Sequence, residues 1–220
     1  EASGGSQMAL SDEDRKKVIE IKDMYIDVGA TSDWDVNKKL DIRPGDPIVP
    51  DSSFAVMANP NLLLGKAWDN RIGCALAAET ARRLVGQKHP NILYTVATVQ
   101  EEVGLRGAGA SAYGIEPDVA LSVDVTGVPD TPEANHMAVA LGQGPAIKVK
   151  DGGMVAHAGV KNLMVKRAQE ARLPYQLEVL LGGTTDAMAI QLVREGVPSG
   201  CLSVPCRYVH SPSEMVNYTD

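Results

Sequence analysis

Val99-Gln100-Glu101-Glu102-Val103-Gly104-Leu105-Arg106-Gly107-Ala108 is the stretch on which the reading of this chain turns. It follows an apolar, β-branched run, Ile92-Leu93-Tyr94-Thr95-Val96-Ala97-Thr98, and together they predict a buried strand over residues 92–99. The glycines at 104 and 107 break that pattern. Two adjacent glutamates therefore fall where a buried strand is expected to end, and in open α/β sheets ligands bind outside such ends. Successive side chains on a strand point to opposite faces. Glu101 and Glu102 are thus expected to do different jobs, one holding a metal and the other handling a proton. A solvated acidic turn is the other reading of the pair, because Asp and Glu are seldom buried without a partner.

Composition narrows the classes. The chain has 220 residues, 44% hydrophobic and 22% charged, enough for one α/β domain with a core plus a smaller appendage. Its net charge of −7 offers no basic footprint for nucleic acid, and 4% aromatic residues disfavour a stacking platform for bases or sugars. No apolar run reaches the ~20 residues of a membrane helix, and no signal-peptide pattern opens the chain. The three cysteines, Cys74, Cys201 and Cys206, are odd in number and form no C-x-x-C. They read as core residues in a reducing, cytoplasmic compartment.

The first eight residues, Glu-Ala-Ser-Gly-Gly-Ser-Gln-Met, read as a linker or processing remnant. Ser11-Asp12-Glu13-Asp14 signals a helix start, and Thr31-Ser32-Asp33 caps a second short helix through Leu40. Strand signals at residues 24–28, 42–49 and 54–57 are split by Pro and Gly. Residues 9–64 therefore read as part of a β-rich satellite domain, and residues 65–220 as a catalytic α/β domain. The latter alternates helices (72–85, 107–113, 160–171, 185–194) with strands (92–99, 119–125, 176–181, 201–204), which predicts a mostly parallel sheet with helices on both faces. Asn217-Tyr218-Thr219-Asp220 reads as the cap of a further helix.

Four positions are expected at strand ends or in the loops beside them: Asp69, the Glu101/Glu102 pair, Asp124 and His210. Carboxylates and an imidazole converging without basic partners would repel, and divalent cations resolve this. Such donors suit zinc, cobalt or manganese, and a leftover carboxylate becomes a general base for hydrolysis. Singly each residue is weak evidence: Asp124 could cap a turn, and a lone histidine is more often structural.

Five motifs carry a resemblance. They are Lys66-Ala67-Trp68-Asp69-Asn70-Arg71-Ile72-Gly73, Gln100-Glu101-Glu102-Val103-Gly104-Leu105-Arg106-Gly107-Ala108, Ser122-Val123-Asp124-Val125, Leu181-Gly182-Gly183-Thr184-Thr185-Asp186-Ala187 and Pro205-Cys206-Arg207-Tyr208-Val209-His210-Ser211-Pro212. In this order they resemble the tetrahedral (TET) group of dinuclear metallo-aminopeptidases, which includes glutamyl aminopeptidases and proteins often labelled endoglucanases. The resemblance implies an enzyme that removes N-terminal residues from peptides with two divalent ions, zinc or cobalt and alternatively manganese. Asp69 would bridge both ions, Asp124 would bind the first, Glu102 and His210 the second, and Glu101 would be the general base. Gly183 and Thr184 would line the substrate pocket. A cis peptide would follow the bridging aspartate, at Asp69-Asn70. The satellite domain would pair subunits, and homo-oligomers would build to a dodecamer.

One departure bears on the first ion. The group takes a histidine from an H-x-D motif near the N-terminus, and none of His89, His136, His157 and His210 is followed by x-Asp. The chain is therefore expected to be an interior fragment that lacks this segment and the last helix. His89 and His136 read as loop residues and His157 as a helix-start residue. Two competing readings stand beside the enzyme: an inactive fragment or non-catalytic assembly subunit, and a glycoside hydrolase. The last is disfavoured because adjacent Glu101 and Glu102 are expected to point apart, whereas a glycosidase sets its two carboxyls across a sugar.

Overall fold

The computed structural model describes Ser11, Glu13 and residues 16–134 and 136–220. The linker expected at 1–8 and most of the helix start expected at 11–14 lie outside these residues. The chain divides into two units, Glu1–Val49 and Pro50–Asp220, a boundary ahead of the one expected from composition at 64/65.

In the first unit, residues 16–49 carry a 3-10 turn, Ile21–Asp23, and a π-helical turn, Asp35–Lys39. The cap expected at Thr31-Ser32-Asp33 is formed. The Asp35 amide donates to Ser32 Oγ at 3.2 Å, and Thr31 Oγ1 donates to Asp35 Oδ2 at 2.7 Å. No described residue of this unit is buried; Met24 makes an isolated β-bridge, and the named elements among residues 16–49 are the two helical turns.

The second unit holds a seven-stranded sheet: β1 (Ala55–Val56), β2 (Leu62–Gly65), β3 (Ala120–Gly127), β4 (Ala146–Lys150), β5 (Gln176–Val179), β6 (Ser199–Arg207) and β7 (Glu214–Asn217). Four helices accompany it: α1 (Trp68–Leu84), α2 (Arg106–Ile115), α3 (Ala158–Ala171) and α4 (Asp186–Ile190). The class is α/β, as expected. The strand order is β1-β2-β7-β6-β4-β5, with β3 paired to β6. β3 runs parallel to β6 along its whole length, from Ala120↔Ser199 to Gly127↔Cys206, so β4 and β7 share the other edge of β6.

Only β3·β6 and β4·β5 are parallel, and the other four pairings are antiparallel. The expectation of a mostly parallel sheet is corrected here. The short β1, β2 and β7 add to the sheet as antiparallel neighbours, which need no helical crossover. β2 and β7 were both unread in the sequence: where a helix cap was expected at 217–220, Glu214–Asn217 instead pairs with β2 and β6.

The strand expected at residues 92–99 is not formed. Residues 92–98 make no ladder, and Ile92 is 81% exposed. Apolar composition supplies the drive for burial, but a strand exists only when a neighbouring edge accepts its backbone hydrogen bonds. β3 pairs with β6 alone among the described residues. The core lies where pairing is complete: Val125, Val204, Cys206 and Val216 are buried together, with Leu63, Trp68, Ile72 and Val209 packed on them. Cys201 and Cys206 are buried as expected, whereas Cys74 is exposed on α1.

Candidate metal centre

Asp69 is placed by a break at the start of α1. Ala67 is left-handed (φ +54°), Asp69 and Asn70 depart from helical geometry, and the Asp69-Asn70 peptide is cis. Asn70 fastens this break to the sheet. Its Nδ2 donates to the Val123 carbonyl at 2.7 Å, and its Oδ1 accepts the Gly73 amide at 2.9 Å. Gly73 must be glycine for that approach, because a Cβ would lie 2.3 Å from Asn70 Oδ1 and 2.6 Å from Val123 O.

Glu101 and Glu102 sit in a tight turn ahead of α2 rather than at a strand end. The Glu101 carbonyl accepts the amides of Gly104 (3.0 Å) and Leu105 (2.8 Å), and the Gly107 amide returns to the Val99 carbonyl (2.9 Å). Gln100 (φ +58°) and Leu105 (φ +56°) bracket the turn in the left-handed region that side chains disfavour. His210 follows β6 in a second strained turn, with Tyr208 at φ +59° and His210 at φ +64°. Asp124 lies within β3, not at its end, and the Val125 amide donates to its Oδ1 at 2.8 Å. Strained backbone gathered at one place marks sites where position is enforced by the surroundings.

These segments bring Asp69, Glu102 and His210 together. His210 Nε2 lies 3.2 Å from Asp69 Oδ2 and 3.2 Å from Glu102 Oε2, and the three donor atoms fall within 4.8 Å of one another. The triad runs from inside to outside: the side chains of Asp69, Glu102 and His210 are 10%, 57% and 68% exposed. Asp124 and Glu101 stand outside the triad but line the same cavity of about 530 Å³, together with Gly183, Thr184 and Lys148. Of the expected site residues, all seven thus border one cavity. His89, His136 and His157 do not border it; His89 turns its ring to the Asn91 carbonyl and His157 precedes α3.

The electrostatics call for a cation. Burial, then the charges of Asp124, Glu102 and Glu214, pushes the Asp69 carboxyl up to about 7. Burial above all raises Asp124 to about 7, against the Val125 amide that lowers it. Glu101 is also raised to about 7, by burial first and then by Glu102, Asp186 and Asp69. Among the described residues no Lys or Arg pairs with any of these carboxylates. The nearby ammonium of Lys148 is taken by Glu178 at 2.9 Å, with both side chains 1% exposed. Two carboxylates and one imidazole nitrogen form a three-donor set of the kind that binds zinc, cobalt or manganese, so these residues fit a divalent ion.

Four contributors were not legible as site residues. Glu214, 2% exposed, accepts the Asp69 amide on Oε2 (2.8 Å) and the His210 amide on Oε1 (3.0 Å). The signal was a glutamate four residues after His210, masked by the misread strand. Thr98 Oγ1 donates to Asp186 Oδ2 at 2.6 Å, across from the glutamate turn. Lys148 and Glu178 carried no motif that marked them in the sequence, and β4 and β5 pair and hold them buried together.

The comparisons with known proteins agree with this geometry. The family model described as M42 glutamyl aminopeptidase matches residues 4–220. A putative aminopeptidase of Acetivibrio thermocellus is 43% identical over 204 residues, covering 93% of this chain and 60% of the relative. The solved structure of an aminopeptidase from the archaeon Desulfurococcus kamchatkensis superposes with a TM-score of 0.89 at 45% identity, covering 96% of this chain and 59% of that one. The TET1 peptidase of Pyrococcus horikoshii, described as able to assemble into a tetrahedron or a large octahedral shell, gives a TM-score of 0.80 at 30% identity, over 99% of this chain and 63% of that one. The chain thus spans about 60% of the length of the relatives it matches. With residues 4–220 matched by the family model, the chain belongs to the M42 glutamyl aminopeptidase family.

Proposed function

We propose that this chain carries the metal centre and proton-handling glutamate of an aminopeptidase that releases N-terminal residues from peptides. The convergence of Asp69, Glu102 and His210 in a chain of this family is the observation that supports it. Two divalent ions would share Asp69, with Glu102 and His210 holding one of them and Asp124 serving the other. The second site has fewer donors than the three that zinc normally takes, so it is the weaker of the two. Zinc or cobalt suits the mixed oxygen and nitrogen donors best, with manganese next. When bound, such ions polarise a peptide carbonyl and lower the pKa of water.

Glu101 is the general base. In the metal-free chain burial above all raises its carboxyl to about 7, and it borders the cavity without belonging to the triad, which leaves its oxygens available for proton transfer. It takes a proton from the attacking water and delivers it to the departing amine nitrogen. Gly183 and Thr184 shape the pocket for the N-terminal residue, from a loop held by Asp151, whose Oδ1 accepts from Thr184 Oγ1 at 3.1 Å. The satellite segment expected at residues 9–64 would pair copies of the chain, and the similar TET1 peptidase is described as able to assemble into large shells. No described helix is long and apolar enough to cross a membrane, and the three cysteines are free, in keeping with a cytoplasmic enzyme.

Hydrolysis of a panel of aminoacyl p-nitroanilides by the longest natural form of the protein tests the reading. Cobalt- or zinc-dependent release that a chelator abolishes is expected. No release from any member of the panel with either metal contradicts it.

A further inference from the structure

We infer that Glu214 is a positioning residue for the metal triad, a buried clamp that fixes the spacing of Asp69 and His210 by accepting one backbone amide from each. The inference rests on the proposed metal site. Asp69 and His210 come from distant segments, the start of α1 and the turn after β6, and each is delivered by strained backbone. Strained turns hold one geometry only when their surroundings enforce it. The Glu214 carboxylate is that enforcement: Oε2 takes the Asp69 amide at 2.8 Å and Oε1 takes the His210 amide at 3.0 Å. Opposite these amides, His210 Nε2 and Asp69 Oδ2 meet at 3.2 Å.

The carboxylate itself is held still. Glu214 opens β7, pairs in register with Gly65 of β2, and is 2% exposed. It therefore ties β7 to the segment that follows β2 and to the turn that precedes β7. Glu214 is not among the residues that border the cavity, so it acts through the two ligands and not on a substrate. Among the described residues it has no Lys or Arg partner. Two backbone N–H groups compensate its charge in part, and a cation seated between Asp69 and His210 completes the compensation. Metal and clamp thus stabilise each other.

The conservative variant Glu214→Gln separates positioning from bulk. It keeps the size of the side chain and one acceptor oxygen, but turns an NH₂ toward the other backbone amide, so one of the two contacts is lost. Residues that orient metal ligands typically change affinity by about 10–100-fold when mutated. Zinc titrated into the unsubstituted chain and into Glu214→Gln by calorimetry, with thermal melts of both metal-free chains, makes the test. The expected result is a Kd about 10–100-fold weaker in Glu214→Gln, with a metal-free Tm close to that of the unsubstituted chain. An unchanged Kd overturns the positioning role, whatever the Tm does. If the unsubstituted chain binds no zinc, the metal reading fails and the positioning role fails with it; if both chains bind zinc equally, only the positioning role fails.

Amide hydrogen exchange in the unsubstituted chain gives a second measurement that does not depend on a variant folding. Slow exchange at both Asp69 and His210, slower still with zinc, is expected. Fast exchange at either amide overturns the clamp.

Discussion

The two sides of the cavity are built differently. On one side, Asp124 sits inside the β3·β6 ladder, and Asp69 is fastened to β3 through Asn70 and to β7 through Glu214. On the other, Glu101, Glu102 and His210 ride on turns with left-handed residues, and the apolar run that leads into the glutamate turn makes no ladder. The first side is buried and held by backbone hydrogen bonds; the second is half open, with Glu102 and His210 more than half exposed. Buried carboxylates held together without cations are costly, and exposed ones are cheap. In the proposed reading, the difference teaches that the buried side would set where an ion goes, while the open side would complete its shell and meet the substrate.

The largest effect expected is at the hinge between the sides. Asp69→Ala removes the donor shared by both proposed ions, so metal retention, read by elemental analysis, and hydrolysis are lost together. Equal metal content in the variant would refute its bridging role. Glu101→Gln comes next: general-base help is worth roughly 10²–10⁴-fold in rate, so kcat falls by that range while bound metal is unchanged. Parallel loss of metal would instead make Glu101 a ligand.

Titration sharpens the contrast. Asp69, Glu101 and Asp124 have carboxyls raised to about 7, above their unfolded values. A raised carboxyl favours folding below its unfolded pKa and loses that contribution as pH rises through the folded pKa. The metal-free chain is therefore expected to melt at lower temperature as pH goes from about 4 to about 7. Zinc reverses this, because binding displaces protons, and the Tm gained on adding zinc grows over the same interval. A pH-independent gain contradicts the shifts. Asp124→Asn relieves the buried charge and raises the metal-free Tm at pH 8 by several degrees, where about 1 kcal/mol is worth about 2–4 °C. Glu102→Gln, on the open side, removes a charge that repels Asp69 and Glu101 and is expected to raise it by less.

The smallest effects are steric. Gly73→Ala drives a Cβ to 2.3 Å from Asn70 Oδ1 and 2.6 Å from a strand carbonyl, with an expected loss of about 1–3 kcal/mol. Gly107→Ala meets Val99 N and O at 2.6 and 2.7 Å, but that segment is unpaired and can yield, so its loss in denaturant unfolding is expected to be the smaller. The reverse order would mean that the open side is the stiffer one.

The site was more legible in the sequence than the sheet. Asp69, Glu101, Glu102, Asp124 and His210 stood out as acidic and imidazole groups near expected strand ends, the family resemblance added Gly183 and Thr184, and all seven border one cavity although the glutamate pair and Asp124 are not at strand ends. Strand pairing is not local. Residues 92–99 have every intrinsic mark of a strand, yet no edge receives them, while Glu214–Asn217 is too short to show alternation and pairs on both sides. The parallel sheet expected from alternating elements failed for the same reason: β4 and β7 share an edge of β6 in antiparallel register, an outcome that only tertiary context fixes. Glu214 was hidden by that misread strand, and Lys148 with Glu178 by a burial that arises only once β4 meets β5.

The most direct test of the account is metal content. Elemental analysis of this chain after dialysis against zinc, beside Asp69→Ala treated in the same way, measures whether the triad holds an ion. The account predicts at least one ion per chain, lost in the variant. An unsubstituted chain that retains no zinc, or a variant that retains as much, would contradict it.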